Sequence, residues 1–534
     1  MIPLQHNVLK KLYSSSRSSF LKVSTGCFSS SCIRAASLDG LFSNTSLWKP
    51  GNCYVNGKWI KAADGEQFSV KNPANGDLIA GVPKMTASDV NEAADIAFKV
   101  WNATWKSTTP AQRSAVLMKM YDLMVDNIDD LAKIITLEAG KPFAESKGEV
   151  LYAASNFKFF AEEARRSYGT VIPSNVRGRS ELVFKESIGP AALITPWNFP
   201  MAMITRKVGP AVAAGCTVVI KPSEETPMSA LALCAIAEEA GLPAGVMNCL
   251  TIDRAETVDA GNAFCHNEKF RKLSFTGSTG VGKILMRECA SNVKKVSMEL
   301  GGNAPFIIFN DADLDIAVRA LMTSKFRNAG QACIASNRIL IQSKVYDEFA
   351  ELFSSKVRRL KMGYGLDDGV TMGPVINKQS LDKVSMHVDD CKSKGANVMC
   401  GGSESENLNG TGGTFFQPTV VRDVTLEALP VVEETFGPMA PLLMFEEEEE
   451  AIQIANDTPF GLAAYACTSD LGRAFRVANE LEAGMIGINE GAISQDSTPF
   501  GGVKESGLGK EGSFMGMDEY MESKFVCMGG LSRK

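Results

Sequence analysis

One cysteine in this chain stands where a nucleophile would be useful. Cys333 closes the run Phe-Arg-Asn-Ala-Gly-Gln-Ala-Cys, residues 326–333. A cysteine alone is most simply a small buried hydrophobe, but Gly330 and Gln331 break any helix just before it and give the sulfur a way out. It needs partners. Glu299 lies in Met-Glu-Leu-Gly-Gly-Asn, residues 298–303, where two glycines let a carboxylate turn toward a cleft. The chain has only 3 histidines, His6, His266 and His387, none in a motif. A Ser-His-Asp hydrolase and a His-rich metal site are therefore excluded, since both need imidazole in a defined place. No metal is expected, and a carboxylate is the available general base. Asn198, in Thr-Pro-Trp-Asn-Phe-Pro, residues 195–200, sits at a strand end between two prolines. Its amide is a candidate donor to an oxyanion. Taken singly, each of these residues reads more simply as a turn residue or a cap.

A second group suits phosphate. Phe-Thr-Gly-Ser-Thr-Gly-Val-Gly, residues 275–282, follows a strand-like stretch and opens a helix, placing Gly277, Ser278, Gly280 and Gly282 as a dinucleotide cradle would. The spacing is not GxGxxG, so alone the signal is weak. Upstream, Lys221-Pro222-Ser223-Glu224 follows another strand, where an acid can accept from ribose hydroxyls.

These residues need elements to carry them. At 534 residues the chain exceeds one ordinary core. A net charge of -6 argues against a general nucleic-acid binder, and no apolar run reaches membrane-spanning length. The 13 cysteines show no metal-ligand or disulfide spacing, with Cys249, Cys265 and Cys289 far apart, which suits a reducing compartment. Lys10, Lys11, Arg17, Lys22 and Arg34 are interleaved with serines, and no acid precedes Asp39. That is the pattern of a mitochondrial transit peptide over residues 1–38, destined for the matrix. The bland alternative is a Ser-rich leader without a role.

Folded sequence is expected from Trp48. An Asn-Gly turn makes a hairpin over residues 52–60. A helix starts at Thr86 with a Thr86/Asp89 capping box and apolar Val90, Ala93, Ala94, Ala97 and Trp101. Helices follow from 110 to 166. Then strands at 191–194, 217–220, 246–250 and 272–275 alternate with helices at 201–214 and 227–240, implying a parallel sheet with ligands at its carboxyl ends. A second alternating region runs from 305 to about 502. In it, 401–413 reads as a surface loop before a strand at 415–420, and 446–450 as an acidic helix start.

Together these segments resemble the aldehyde dehydrogenase superfamily, from about Tyr54 to the C-terminus. Pro-Trp-Asn-Phe-Pro, Phe-Thr-Gly-Ser-Thr, Glu-Leu-Gly-Gly, Gly-Gln-x-Cys, Glu-x-Phe-Gly-Pro and Pro-Phe-Gly-Gly occur in the family's order. The resemblance implies a Cys333 nucleophile, Asn198 with the Cys333 N–H as oxyanion donors, Glu299 to activate water and Lys207 to help move a proton. It implies NAD, with NADP admitted, held by Trp197, Lys221, Ser223, Glu224, Gly277 to Gly282, Glu434 and Phe436. The implied fold is α/β in three parts. A Rossmann-type cofactor domain spans 48–167 and 185–301, an α/β catalytic domain spans 302–510, and a small β oligomerisation arm spans 168–184 and 511–534. A homotetramer or homodimer follows.

Within the superfamily the chain looks like the members that oxidise succinate semialdehyde. Arg206, eight residues beyond Asn198, Arg327, six before Cys333, and Ser494 match that branch's receptors for the distal carboxylate. Arginine offers paired donors suited to a carboxylate, although the same arginines also read as structural ion pairs. The alternatives are a dehydrogenase for a neighbour such as glutarate semialdehyde, or a catalytically silent protein of the same fold. Retention of both Cys333 and Glu299 speaks against silence and against a CoA-acylating enzyme. Ala335 replaces a second cysteine that many members carry, so a local redox disulfide cannot form, and Ala332 replaces a commoner threonine.

Overall fold

Asn56 and Gly57 both take positive φ, 53° and 70°, the left-handed pair a two-residue hairpin requires. They join strands Cys53–Val55 and Lys58–Ile60 in the hairpin expected there. Thr86 and Asp89 form the capping box of helix Ala87–Ala103, whose Val90, Ala93, Ala94 and Ala97 are buried at helical spacing. The computed structural model describes residues 38, 40–410 and 412–530. The transit-peptide expectation falls on a segment whose first 37 residues lie outside them.

Five parallel strands build the first sheet: Ala191–Ile194, Val218–Lys221, Met247–Cys249, Lys272–Thr276 and Lys295–Glu299. Across the sheet they run 247–249, 218–221, 191–194, 272–276, 295–299. The strand order reverses beside Ala191–Ile194, and such a reversal opens a crevice at the carboxyl ends of the central strands. Asn198 and Ser278 follow those two ends. The N-terminal hairpin extends one edge and Gly507–Leu508 the other, both antiparallel. On one face Ala192, Val219, Leu273, Phe275 and Met298 pack with Val90, Ala94, Phe264 and Leu285 from the covering helices. Leu193, Val218 and Ile220 alternate with them and are fully buried. Each such side chain contributes about 1.5–3 kcal/mol. Helix Ala202–Ala214 is buried along all 13 residues, so any charge it carries must find a partner inside.

The chain passes from Glu299 through Leu300–Asn303 straight into a seven-stranded sheet, ordered 397–400, 419–422, 439–445, 336–342, 304–308, 463–467, 485–488. Only the edge pair 397–400/419–422 is antiparallel. Two details differ from the sequence reading. The strand expected over 415–420 begins at Thr419, because Pro418 has no N–H for a ladder, and Phe415 and Phe416 are both buried instead of alternating. The 401–413 loop contains a short helix, Glu406–Asn409. The acidic run opens helix Glu448–Asn456, where carboxylates complement the dipole. A third sheet pairs Met521–Met528 antiparallel with Ser180–Ser187, which also pairs Thr170–Ile172.

The described cysteines are all free. Folding nevertheless sets Cys234 beside Cys249 and Cys265 beside Cys289, neighbourhoods that sequence spacing concealed.

One close approach aligns the site. A Cβ added to Gly491 would stand 2.0 Å from the carbonyl oxygen of Ala320, in helix Leu314–Phe326. That contact seats the loop carrying Ser494 against the helix that delivers Arg327. A helix backbone cannot retreat easily, so Gly491→Ala should destabilise the protein by about 1–3 kcal/mol. The urea unfolding midpoint reports this, and an unchanged midpoint would show that the loop simply moves aside.

Candidate active site

Helix Leu314–Phe326 stops at Phe326, and the backbone then runs left-handed through Asn328, Ala329 and Gly330, with φ 53°, 53° and 74°. Left-handed backbone costs a residue with a Cβ about 1–2 kcal/mol, so the turn must be held. Asn328 Nδ2 donates to the carbonyls of Asn198 (2.9 Å) and Gln331 (3.1 Å). Gln331 Nε2 donates to the carbonyls of Asn328 (3.1 Å) and Pro374 (3.2 Å), and its Oε1 accepts from the Ile376 N–H (2.8 Å). Thus the break expected before Cys333 is real, and side-chain amides lock it. Cys333 emerges just before strand Ser336–Gln342, at the amino end of the second sheet. The strand-end rule located the cofactor crevice but not this cysteine. Gly302 brings the two sheets together here, because a Cβ on it would lie 2.6 Å from the Cys333 carbonyl oxygen.

The Asn198 turn is pinned from below. Lys141 Nζ, ion-paired to Glu149, donates to the Asn198 carbonyl (2.9 Å), and Glu149 accepts from the Met201 N–H (3.0 Å). Asn198 Nδ2 donates to the Gln331 carbonyl at 3.1 Å, which leaves its second N–H free.

Behind the pocket lies a buried charge cluster. Arg206 Nε donates to Glu511 (2.7 Å), Lys207 Nζ is paired with the other Glu511 oxygen and also donates to Ser274 Oγ (2.9 Å). Burial opposes charge on Glu511, yet Lys207 and Arg206 outweigh it and hold that carboxyl below its usual range. Burial first, and repulsion from Glu511 second, push Glu299 well above the usual carboxylate range. Two neighbouring carboxyls are therefore driven in opposite directions, Glu511 down and Glu299 up. Glu299 Oε2 has no hydrogen-bond partner among the described residues.

A cavity of about 250 Å³ collects most of the expected residues: Trp197, Asn198, Arg206, Gly277, Ser278, Arg327, Cys333, Glu434, Phe436 and Ser494. Glu299, Lys207, Lys221, Ser223, Glu224, Gly280 and Gly282 are not among its lining residues. Trp197 and Phe436 meet edge-to-face at 5.4 Å, and Glu434 accepts from the Gly302 N–H at 3.3 Å. Burial pushes the Glu434 carboxyl up to about 7. Gly280 faces open space, whereas a Cβ on Gly282 would collide with Leu300 at 2.4 Å. Gly282 thus packs the helix on the strand end. Glu224 lies 3.8 Å from Lys221.

Residues that the sequence reading missed include Tyr152, Phe199, Phe500 and Glu511. Tyr152 gives no spacing signal within the amphipathic helix Phe143–Glu163, and Glu511 is an isolated acid. The Arg327 side chain stacks over Phe199, 4.9 Å to the ring centroid. It makes no hydrogen bond or ion pair among the described residues. Arg206, in contrast, lies 3.8 Å over the Phe500 ring and is paired with Glu511.

A thiol, a carboxyl raised by burial and an amide lie at the seam of two α/β sheets, a combination that suits cysteine-dependent aldehyde oxidation. The chain belongs to the aldehyde dehydrogenase family, whose model matches residues 59–526. Among curated relatives it is similar to Escherichia coli succinate-semialdehyde dehydrogenase [NADP(+)], with 52% identity over 89% of this chain and 97% of the relative. Glutarate-semialdehyde dehydrogenase of Pseudomonas aeruginosa is 50% identical over 90% and 97%. The mitochondrial succinate-semialdehyde dehydrogenase of Arabidopsis thaliana is 48% identical over 97% and 96%. A solved succinate-semialdehyde dehydrogenase from Burkholderia pseudomallei superposes with TM-score 0.89 at 48% identity, covering 92% of this chain and 100% of that one.

Burial pushes the Cys333 thiol up to about 12, against the nearby charge of Arg206. At pH 7 the thiolate fraction is then about one part in 10⁵, and only the thiolate attacks. In the cofactor-free protein, alkylation of Cys333 by iodoacetamide should be slow at pH 7 and rise about tenfold per pH unit to pH 9. Peptide mass spectrometry reads the rate, and a flat profile would mean that the pocket stabilises the thiolate.

Proposed function

We propose that this chain oxidises succinate semialdehyde to succinate with a nicotinamide cofactor, through a thioester on Cys333. The observation that carries the substrate is Arg327. A half-buried guanidinium that ion-pairs with no carboxylate among the described residues, although Glu145 feels its charge, stands in the wall of the cavity that holds Cys333 and can receive an anion on the ligand. Succinate semialdehyde supplies one at the end away from its aldehyde. Ser494 lines the same cavity.

Cys333, once its thiol proton has passed to water, adds to the aldehyde carbon, and the resulting oxyanion is received by the Asn198 amide N–H and the Cys333 N–H. Bound NAD(P) would supply the hydride acceptor that takes this adduct to a thioester on Cys333. Glu299, once deprotonated, takes a proton from water at its unpartnered oxygen so that hydroxide attacks the thioester, whose C–S bond breaks to give the acid and the Cys333 thiolate. A raised carboxyl suits this base role near neutral pH. Gly277, Ser278 and the open face of Gly280 would hold the pyrophosphate, with Glu434 and Phe436 at the nicotinamide end. The buried, unpartnered Thr276 hydroxyl beside them fits a polar ligand there. Lys207 would steady the Glu299 region through Glu511.

On the same reading, residues around the first sheet form the cofactor domain, the second sheet the catalytic domain, and the third sheet the oligomerisation arm. Exposed Tyr168, Val171 and Phe525 on the arm support assembly into a homodimer or homotetramer. The basic, acid-free leader supports import into the mitochondrial matrix. NAD is favoured over NADP because the Glu224 carboxylate repels a 2′-phosphate, although Lys221 beside it weakens that repulsion.

Arg327→Ala should lower kcat/KM for succinate semialdehyde ten- to a hundredfold more than for butyraldehyde, the loss of about 1.5–3 kcal/mol for a charge-assisted contact. Equal losses with both aldehydes would make Arg327 structural. Assayed beside it, glutarate semialdehyde, one methylene longer, should be the poorer substrate. Glu299→Gln should give one burst of NADH and then stall, since only deacylation lacks its base. Full steady-state turnover would assign the base elsewhere. Because burial and Glu511 raise the Glu299 carboxyl, its base form is lost as pH falls, and kcat should drop at a pH above the ordinary carboxylate range. An ascending limb in the ordinary carboxylate range would contradict the burial argument.

A further inference from the structure

Arg206 lines the cavity, and three of its five N–H donors already have partners. Nε donates to Glu511 at 2.7 Å, Nη2 reaches Met203 Sδ at 3.5 Å, and Nη1 donates to the Tyr152 hydroxyl at 3.3 Å. Tyr152 in turn lies 2.8 Å from Ser494 Oγ. Tyr152, Arg206 and Ser494 all line the cavity that contains Cys333. Tyr152 is the one hydrogen-bond partner of the Ser494 hydroxyl among the described residues.

The direction of these bonds follows from the chemistry of the groups. A guanidinium only donates, so the phenol oxygen accepts from Arg206. Accepting from a cation strengthens the phenol's own donation, and a phenol is a better donor than an aliphatic alcohol. Its single proton therefore goes to Ser494 Oγ. The Ser494 proton is then left for the cavity, where a carboxylate oxygen is the complementary acceptor. We propose that Tyr152 is a positioning residue for substrate selectivity, relaying the charge of Arg206 to Ser494 so that the serine hydroxyl is presented as a donor to the substrate's distal carboxylate. This rests on the succinate-semialdehyde reading of the same cavity. In it, Arg327 meets the anion with its own guanidinium, and Arg206 acts through Tyr152.

Removing the phenol oxygen frees Ser494 Oγ to rotate and turn its proton away. Tyr152→Phe keeps the ring and its packing, so the fold should persist, and circular dichroism with a thermal melt checks that it does. The expected result is a KM for succinate semialdehyde raised roughly five- to tenfold, the size of one neutral hydrogen bond, with a loss at least fivefold greater than that for butyraldehyde. Ser494→Ala should show the same bias. The double variant should lose no more than Ser494→Ala alone, because Tyr152 acts only through the serine. Additive losses, equal losses with both aldehydes, or an unchanged KM would each overturn the relay. Arg327→Ala separates the two claims. If that variant discriminates between the aldehydes and Tyr152→Phe does not, the relay fails while the substrate reading stands. If Arg327→Ala fails to discriminate, the substrate reading itself falls.

Discussion

The arrangement depends on one buried carboxylate, Glu511. Helix Ala202–Ala214 is buried all round and carries two cations, Arg206 and Lys207, on consecutive residues. Without an internal anion each would cost several kcal/mol to bury. Glu511 takes one cation on each oxygen, which ties the chain's C-terminal region to the helix that follows the Asn198 turn. The same carboxylate acts at a distance. Its charge helps keep Glu299 protonated, and its grip on Arg206 sets which face of that guanidinium meets the cavity. A helix placement, the state of the base and the orientation of a selectivity group thus share one ion-pair cluster.

Cys333 is presented by strain rather than by a helix. Asn328 and Ala329 sit in left-handed backbone that two side-chain amides hold in place, and the Asn328 amide also grips the Asn198 carbonyl. The Asn198 turn and the turn that leads to Cys333 are therefore parts of one hydrogen-bonded unit, although 135 residues separate Asn198 from Cys333 in the chain. Lys141 and Glu149 complete it from a third segment. Such mutual fixing keeps reacting groups in register, where small displacements are costly to rate.

The electrostatics of the cavity are asymmetric in a way that suits a substrate charged at one end. Arg327 makes no ion pair among the described residues and stacks on Phe199, while Arg206 is paired with Glu511, which it shares with Lys207. The apolar walls between them, Phe199, Met203, Ile334 and Phe500, leave the middle of the ligand without polar contacts. A short aliphatic chain between an aldehyde and a carboxylate matches that profile.

The sequence by itself determined a good deal. The hairpin at Asn56-Gly57, the Thr86 cap and the alternation of strands and helices are local, carried by turn chemistry and periodicity, and they appear where expected. The Pro418 break was equally local but was read past. Cys333 and Asn198 stood out as candidates because each sits in a short box whose glycines or prolines mark it, whereas Arg327 entered only through the family resemblance. What only the tertiary structure decided were partnerships. Arg206 and Arg327 look equivalent as residues, and nothing near either in the chain says that the first meets Glu511, 305 residues away, while the second stacks on an aromatic ring and makes no ion pair among the described residues. Tyr152 became part of the site only when its helix brought it to Ser494, 342 residues away. The physical reason is that a charge or hydroxyl takes its role from whatever lies within about 3 Å of it. Local pattern dictates which elements form, but the packing of distant elements chooses those neighbours.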